Sequence, residues 1–172
     1  MDDKPTDSQE VNQDKKNLSI EITPQSLLEE PPKFMCPIGL YLMVDPVIDA
    51  NGDTYDRKSI EKWFEKSQKS PLTNEVLSNK NLIPNNDLKS DVMEYMTSSI
   101  KKILEFLDPA KNEFSTQPEN RQDVWKLLDH LVTYNKTIKG YDKLIINRMV
   151  SIIPGIIEKK DFDYCKDLLN RI

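Results

Sequence analysis

Three side chains in this chain are of the type that most often ligates zinc or serves in nucleophilic catalysis: Cys36, His130 and Cys165. A structural zinc site takes four ligands, usually Cys or His, and three scattered residues do not supply one. Nucleophilic catalysis needs a base within reach of the thiol. Cys36 precedes Pro37, and no spacing pairs either cysteine with His130. Cys36 then reads as a small buried hydrophobe. No covalent catalytic residue is assigned, and neither a metal nor another cofactor is expected.

The informative residues lie between 34 and 93. They run Phe34-Met35-Cys36-Pro37-Ile38, then Leu42-Met43-Val44-Asp45-Pro46-Val47-Ile48, Asn51-Gly52 and Thr54-Tyr55-Asp56-Arg57. Ile60, Trp63-Phe64, Ser70-Pro71-Leu72-Thr73 and Leu82-Ile83-Pro84-Asn85 follow. Apolar residues on loops beside a Trp suit a docking surface, although helical spacing alone suits Trp63 to a core. Local rules give the elements that hold them. Val47-Ile48 and Thr54-Tyr55 flank Asn51-Gly52, a hairpin signal in which both turn residues tolerate positive φ. Asp56 is an N-cap candidate for a helix to about Lys66, with Ile60, Trp63 and Phe64 on its apolar face. Ser67 to Asn81 reads as loop. Leu88, Val92, Met96, Ile100, Ile103 and Leu107 then keep the spacing of a long amphipathic helix.

This string resembles the U-box, the zinc-free relative of the RING domain in ubiquitin ligases. The resemblance implies a small α+β domain: a β-hairpin, a short helix, cross-brace loops and a longer C-terminal helix. It also implies a mechanism without a covalent intermediate. The domain holds a ubiquitin-conjugating enzyme charged with ubiquitin and promotes transfer to a substrate lysine by positioning. Position by position, the conjugating-enzyme groove falls on Ile38, Leu40, Trp63, Ser70, Pro71 and Leu72. The polar network that replaces zinc falls on Asp45, Asp53, Asp56, Arg57, Thr73 and Asn85. Three positions depart from the family pattern. Asn74 stands where many members carry the Arg that promotes transfer, and an amide lacks the charge and fork of a guanidinium. Gly39 stands where Ser or Thr is common, and Tyr41 where Glu is common. Asn74 keeps open a second reading, a non-catalytic adaptor whose degenerate U-box binds partners without promoting transfer.

Twenty-four Lys and Arg against 29 Asp and Glu give a net charge of −5. No basic excess neutralises phosphates, so nucleic acid is not the expected partner. Two distant cysteines make no disulfide framework and suit a reducing, cytoplasmic compartment. The N-terminus leads no apolar run, so no secretory signal is read there.

The polar residues 1–30 are expected to be an unfolded tail, residues 31–107 the U-box, 108–117 a linker and 118–172 an all-α module for protein-substrate docking or targeting. Thr116 with Glu119 suggests a capping box. Val124, Leu127, Leu128, Leu131 and Tyr134 form one helical face; Leu144, Ile145, Met149, Ile152 and Ile153 form another, which Pro154-Gly155 breaks or kinks. Phe162, Cys165, Leu168, Leu169 and Ile172 line one side of a last helix. Its amphipathic pattern leaves open a peripheral membrane contact through 161–172, with Cys165 as an acylation candidate. A short U-box with an unfamiliar helical partner also resembles, by analogy, bacterial effectors that act in the host cytosol.

Overall fold

The computed structural model describes residues 22–158 and 161–172. The expectation of an unfolded tail lies, for residues 1–21, outside the described residues. Where the two overlap, the structure corrects it. Pro24–Leu28 is a helix, α1, and Leu27 is buried. Its start is closed reciprocally: Ser26 N–H donates to Thr23 Oγ1 at 3.2 Å, and Thr23 N–H to Ser26 Oγ at 3.1 Å. Such a box satisfies two orphan donors of the first turn. Two tyrosines from later helices then hold the segment. Tyr95 Oη donates to Glu29 O at 2.7 Å, and Tyr134 Oη to Glu30 Oε1 at 3.0 Å.

Strands β1 (Pro46–Ile48), β2 (Thr54–Asp56) and β3 (Ile83–Pro84) make an antiparallel sheet in the order β2-β1-β3. Val47 faces Tyr55 on one side and Pro84 on the other. The hairpin forms where Asn51-Gly52 predicts, with a different turn. Asp49 N–H donates to Asp53 O at 2.9 Å across a three-residue loop. Only Gly52 has positive φ, +90°. Asp49 supplies the reason: its Oδ1 accepts from Asn51 N–H and Asp53 N–H at 2.9 and 3.0 Å.

Helix α2 (Arg57–Phe64) starts at Asp56, whose carboxylate accepts from Lys58 N–H. Helix α3 (Asn86–Phe106) starts at Asn85, which caps Leu88 N–H at 3.1 Å. The remaining helices are α4 (Arg121–Ile138), α5 (Asp142–Ile156) and α6 (Phe162–Arg171). The chain is thus a small antiparallel sheet with helices, followed by a helical module. Among the described residues no three His, Cys, Asp or Glu side chains cluster as metal ligands. No helix among them is long and apolar enough to cross a membrane.

Two cores form. The smaller, under the loops, contains Cys36, Met43, Val47, Tyr55, Ile60, Phe64 and Leu77. The larger joins α1 and α3 to α4, α5 and α6, and reaches Phe34 and Leu42. This corrects the division into two units at a polar linker. The α3 residues Val92, Met96, Ile100 and Ile103, with Leu107 just after the helix, share one core with α4 residues such as Leu127, Leu128 and Leu131. The expected linker is itself held: Arg148 reaches back to Asp108 at 2.9 Å, and the Phe114 ring packs at a tilt against Phe106.

Three local expectations also change. Thr116 and Glu119 form no capping box; Thr116 Oγ1 donates instead to Glu113 O in a short turn, Phe114–Thr116. Pro154 does not break α5, which runs to Ile156. Pro154 offers no N–H to the carbonyl four residues back, and α5 continues for only two residues beyond it; a Cβ on Gly155 would stand in ordinary contact with Thr116 O, at 3.4 Å. Finally, Cys165 and Leu168 face the core of the helical module, while Phe162 and Leu169 are exposed. Burial pushes the Cys165 thiol up. The structure therefore removes the accessible thiol that acylation needs and half of the apolar stripe that a membrane contact would use.

Candidate functional site

The two cross-brace loops are built alike. In residues 36–41, Cys36 N–H donates to Tyr41 O at 2.8 Å and Leu40 N–H to Cys36 O at 2.9 Å. In residues 70–75, Ser70 N–H donates to Glu75 O at 2.8 Å and Asn74 N–H to Ser70 O at 3.0 Å. Each loop begins with a buried small residue followed by proline, and each has its fifth residue in the left-handed region: Leu40 at φ +54° and Asn74 at φ +63°. Asn tolerates that conformation, whereas Leu is strained in it by roughly 1–2 kcal/mol. Leu40 is also 76% exposed. A strained and exposed leucine contributes little to stability, so it suits a contact residue.

Between the first loop and α2 lies a pocket of about 570 Å³ lined by Ile38, Ser59, Lys62, Trp63, Lys66 and Ser67. Ile38 is half-buried, and its inner side packs on the smaller core. Trp63 is 37% exposed, and its Nε1–H donates to Lys69 O at 2.7 Å. That bond ties the helix to the second loop and leaves the indole face open. Of the six groove residues expected from sequence, the structure brings Ile38 and Trp63 together. Leu40 and Leu72 stand exposed on the two loops, and Pro71 is half-buried. Ser70 is corrected: it is 1% exposed, and its Oγ accepts from Leu72 N–H and Thr73 N–H at 3.2 Å each. It shapes the second loop from beneath and offers nothing to a partner.

A polar network tying the loops to the helices centres on Asp45 and Asp56. Asp45 Oδ2 accepts from Arg57 Nε at 2.7 Å, its Oδ1 from Lys89 Nζ at 3.3 Å, and its backbone O from Arg57 N–H at 2.9 Å. These bonds join the segment before β1 to α2 and α3. The Arg57 guanidinium holds the Asp45 carboxyl below the usual carboxylate range, with help from Lys89. Asp56 is buried. Its N–H donates to Cys36 Sγ at 3.3 Å, and its carboxylate accepts from Asp45 N–H, Lys58 N–H and Tyr41 Oη. Asn85 donates its N–H to Pro46 O at 2.9 Å, and its Nδ2 lies 3.5 Å from Thr54 Oγ1. Each buried polar group in this set has a partner, the condition under which such a network rigidifies rather than weakens a fold.

Two expected members take other roles. Asp53 acts through its backbone in the hairpin, and Thr73 stays within its own loop, where its Oγ1 accepts from Glu75 N–H. Sequence reasoning missed Asp49 and Lys89, whose types occur on any solvated surface. Tyr41 was flagged only as a departure. Its Oη lies 2.7 Å from Ser59 Oγ and donates to Asp56 Oδ1 at 3.2 Å, so it clamps the first loop to α2. Burial and the neighbouring Asp56 carboxylate both raise its phenol pKa.

Comparison with known proteins agrees with this geometry. Residues 31–102 match the family model described as U-box domain. U-box domain-containing protein 20 of Arabidopsis thaliana is 48% identical over 71 residues, 41% of this chain and 16% of that protein. U-box domain-containing protein 3 of the same plant is 41% identical over 148 residues, 77% of this chain and 19% of that protein. E3 ubiquitin-protein ligase PUB22, also from Arabidopsis, is 33% identical over 126 residues, 65% of this chain and 29% of that protein. The chain thus spans less than a third of the length of these curated relatives. All three are plant proteins, which lends no support to the effector analogy.

Proposed function

We propose, from the premise that residues 31–102 are a U-box domain, that this chain acts as a ubiquitin ligase. Its groove at Ile38 and Trp63 receives a ubiquitin-conjugating enzyme carrying ubiquitin as a thioester, with Leu40, Pro71 and Leu72 at the groove's edges. The substrate's lysine amine attacks the thioester carbonyl, and the conjugating enzyme's thiolate leaves. The ligase contributes orientation, which lowers the barrier without a nucleophile of its own. The carrying observation is the pairing of an exposed apolar groove with hydrogen-bonded braces beneath it. Anchors held by Asp45–Arg57, Asp56–Tyr41 and Trp63–Lys69 lose little freedom on binding. Both cysteines are buried, which argues against a thioester on the ligase itself. PUB22 and PUB23 of Arabidopsis are named E3 ubiquitin-protein ligases, which supports the same class here.

The helical module takes the substrate-docking role in this reading. Leu144, Val150 and Leu169 give it exposed apolar residues on α5 and α6. The adaptor reading rests on Asn74, which puts an amide on the loop where the family's guanidinium would stand.

Ile38→Ala decides between ligase and bystander. Only part of Ile38 is covered, so the variant should stay folded with a modest loss of stability. Discharge of ubiquitin from the charged conjugating enzyme to free lysine should fall to background. Normal discharge by a folded variant would remove the groove from the mechanism. A wild-type protein that binds conjugating enzymes and accelerates none of them would establish the adaptor.

A further inference from the structure

We infer that the groove selects conjugating enzymes whose docking face carries carboxylates; this rests on the ligase reading and specifies its partner. The observation is a sorting of charge around α2. Lys62 and Lys66 line the groove with Ile38, Ser59, Trp63 and Ser67, and no carboxylate lines it. The carboxylates of the same segment lie on the opposite flank. Glu61 turns to Arg57 at 3.7 Å, and Glu61 and Glu65 line a separate pocket with Arg57, Phe64 and Lys80. The helical angle explains the separation. Residues 59, 62, 63 and 66 share one side of a 3.6-residue turn, and 57, 61 and 65 share the other.

The sign matters because it opposes that of the molecule. The chain carries −5 overall, yet its groove presents two exposed ammonium groups beside an apolar floor. Among the described residues neither has a carboxylate partner at ion-pair distance, unlike Lys89, which meets Asp45, and Lys126, which meets Asp123. A last-turn cation suits the helix dipole. That accounts for a lysine here, but not for the clearing of carboxylates from the groove. Complementary charge at the rim of an apolar contact raises the association rate and penalises like-charged competitors. The fitting partner inserts apolar side chains between Ile38 and Trp63 and sets carboxylates against Lys62 and Lys66.

One conjugating enzyme in two forms tests this. The residues of its docking face that oppose α2 are made acidic in one form and basic in the other. Each is charged with ubiquitin, and the full chain discharges it to free lysine. The acidic form should show a KM about tenfold lower at about 0.05 M salt, with kcat little changed, and the gap should close at about 1 M, where the Debye length is about 3 Å. The double variant Lys62→Glu, Lys66→Glu should invert the preference. Should that variant melt early, the wild-type comparison and its salt dependence decide alone. Equal KM for the two forms, or a lower KM for the basic form, overturns the inference and leaves the ligase reading standing. If neither form discharges faster than without the protein, the ligase reading falls and takes the inference with it.

Discussion

The ring of Tyr41 lies over Gly39 so closely that a Cβ on residue 39 would stand 2.2 Å from Tyr41 Cε1. The two departures from the family pattern in the first loop are therefore one feature. A tyrosine at 41 covers the loop and reaches Ser59 and Asp56 only because residue 39 has no side chain. Gly39→Ser should cost about 1–3 kcal/mol, the usual range for overpacking. Tyr41→Glu in the Gly39→Ser background should recover most of it, since the ring that clashes is gone. Denaturant melts of both single variants and the double variant give the coupling. Additive costs would mean that the loop moves aside and that the pair is independent.

Asp45 predicts an acid-sensitive brace. Its folded pKa lies below the unfolded value, so its contribution is present above that value, about 3.9, and is lost as pH falls through the folded one. Asp45→Asn should lower the melting temperature at pH 7, by the equivalent of about 1 kcal/mol because the pair is partly exposed. The gap from wild type should close progressively as pH falls below the unfolded carboxylate value, about 3.9. A gap independent of pH would assign the effect to packing.

The hairpin and the start of α2 were legible because local rules act there, whereas the groove was read from the family resemblance, since helical spacing alone suits Trp63 to a core. Asp56 and Asn85 cap helices, Gly52 takes positive φ, and Trp63 sits at fixed spacing from Ile60. What escaped depended on partners distant in sequence. Leu27 finds cover on helices that begin far down the chain, and Tyr134 reaches Glu30 across 104 positions. Composition marked residues 24–30 as tail because it counts only local apolar surface. Cys165 failed for a related reason: an amphipathic helix shows one apolar face in sequence whether lipid or protein covers it.

Asn74 is held by its backbone, whose N–H donates to Ser70 O at 3.0 Å. At φ +63° an asparagine is tolerated, and a residue without its local bonding is strained by roughly 1–2 kcal/mol. Asn74→Arg should therefore do two opposed things. It should raise ubiquitin discharge, since each charge-assisted hydrogen bond contributes roughly 1.5–3 kcal/mol against about 1 for a neutral one. It should also lower the melting temperature, while Asn74→Gly leaves stability unchanged or slightly higher and adds no rate. A rate gain with no thermal cost would mean that the loop relaxes. No gain at all would place closed-state stabilisation on another residue.

The last prediction concerns where the U-box ends. A polar stretch after Pro109 suggests that residues 1–110 fold alone, and the shared core argues otherwise. Ile100, Ile103 and Leu107 are fully buried in a cluster that contains Leu127, Leu128 and Ile145. Cutting at 110 strips that cover from three large side chains, each of which gains about 1.5–3 kcal/mol from burial. The summed loss approaches the whole stability of an ordinary domain, about 5–15 kcal/mol. The smaller core under the loops keeps its own members in the fragment. The fragment should therefore self-associate or lose protection in the second half of α3. Hydrogen exchange should reveal fast amides over residues 99–107 and slower ones over 54–64. Its discharge activity should fall in step with that fraying, because Lys89, at the start of α3, braces Asp45 and through it Arg57 on α2. A monomeric fragment with wild-type exchange across α3 and full activity would restore the two-unit division and make the helical module an independent appendage.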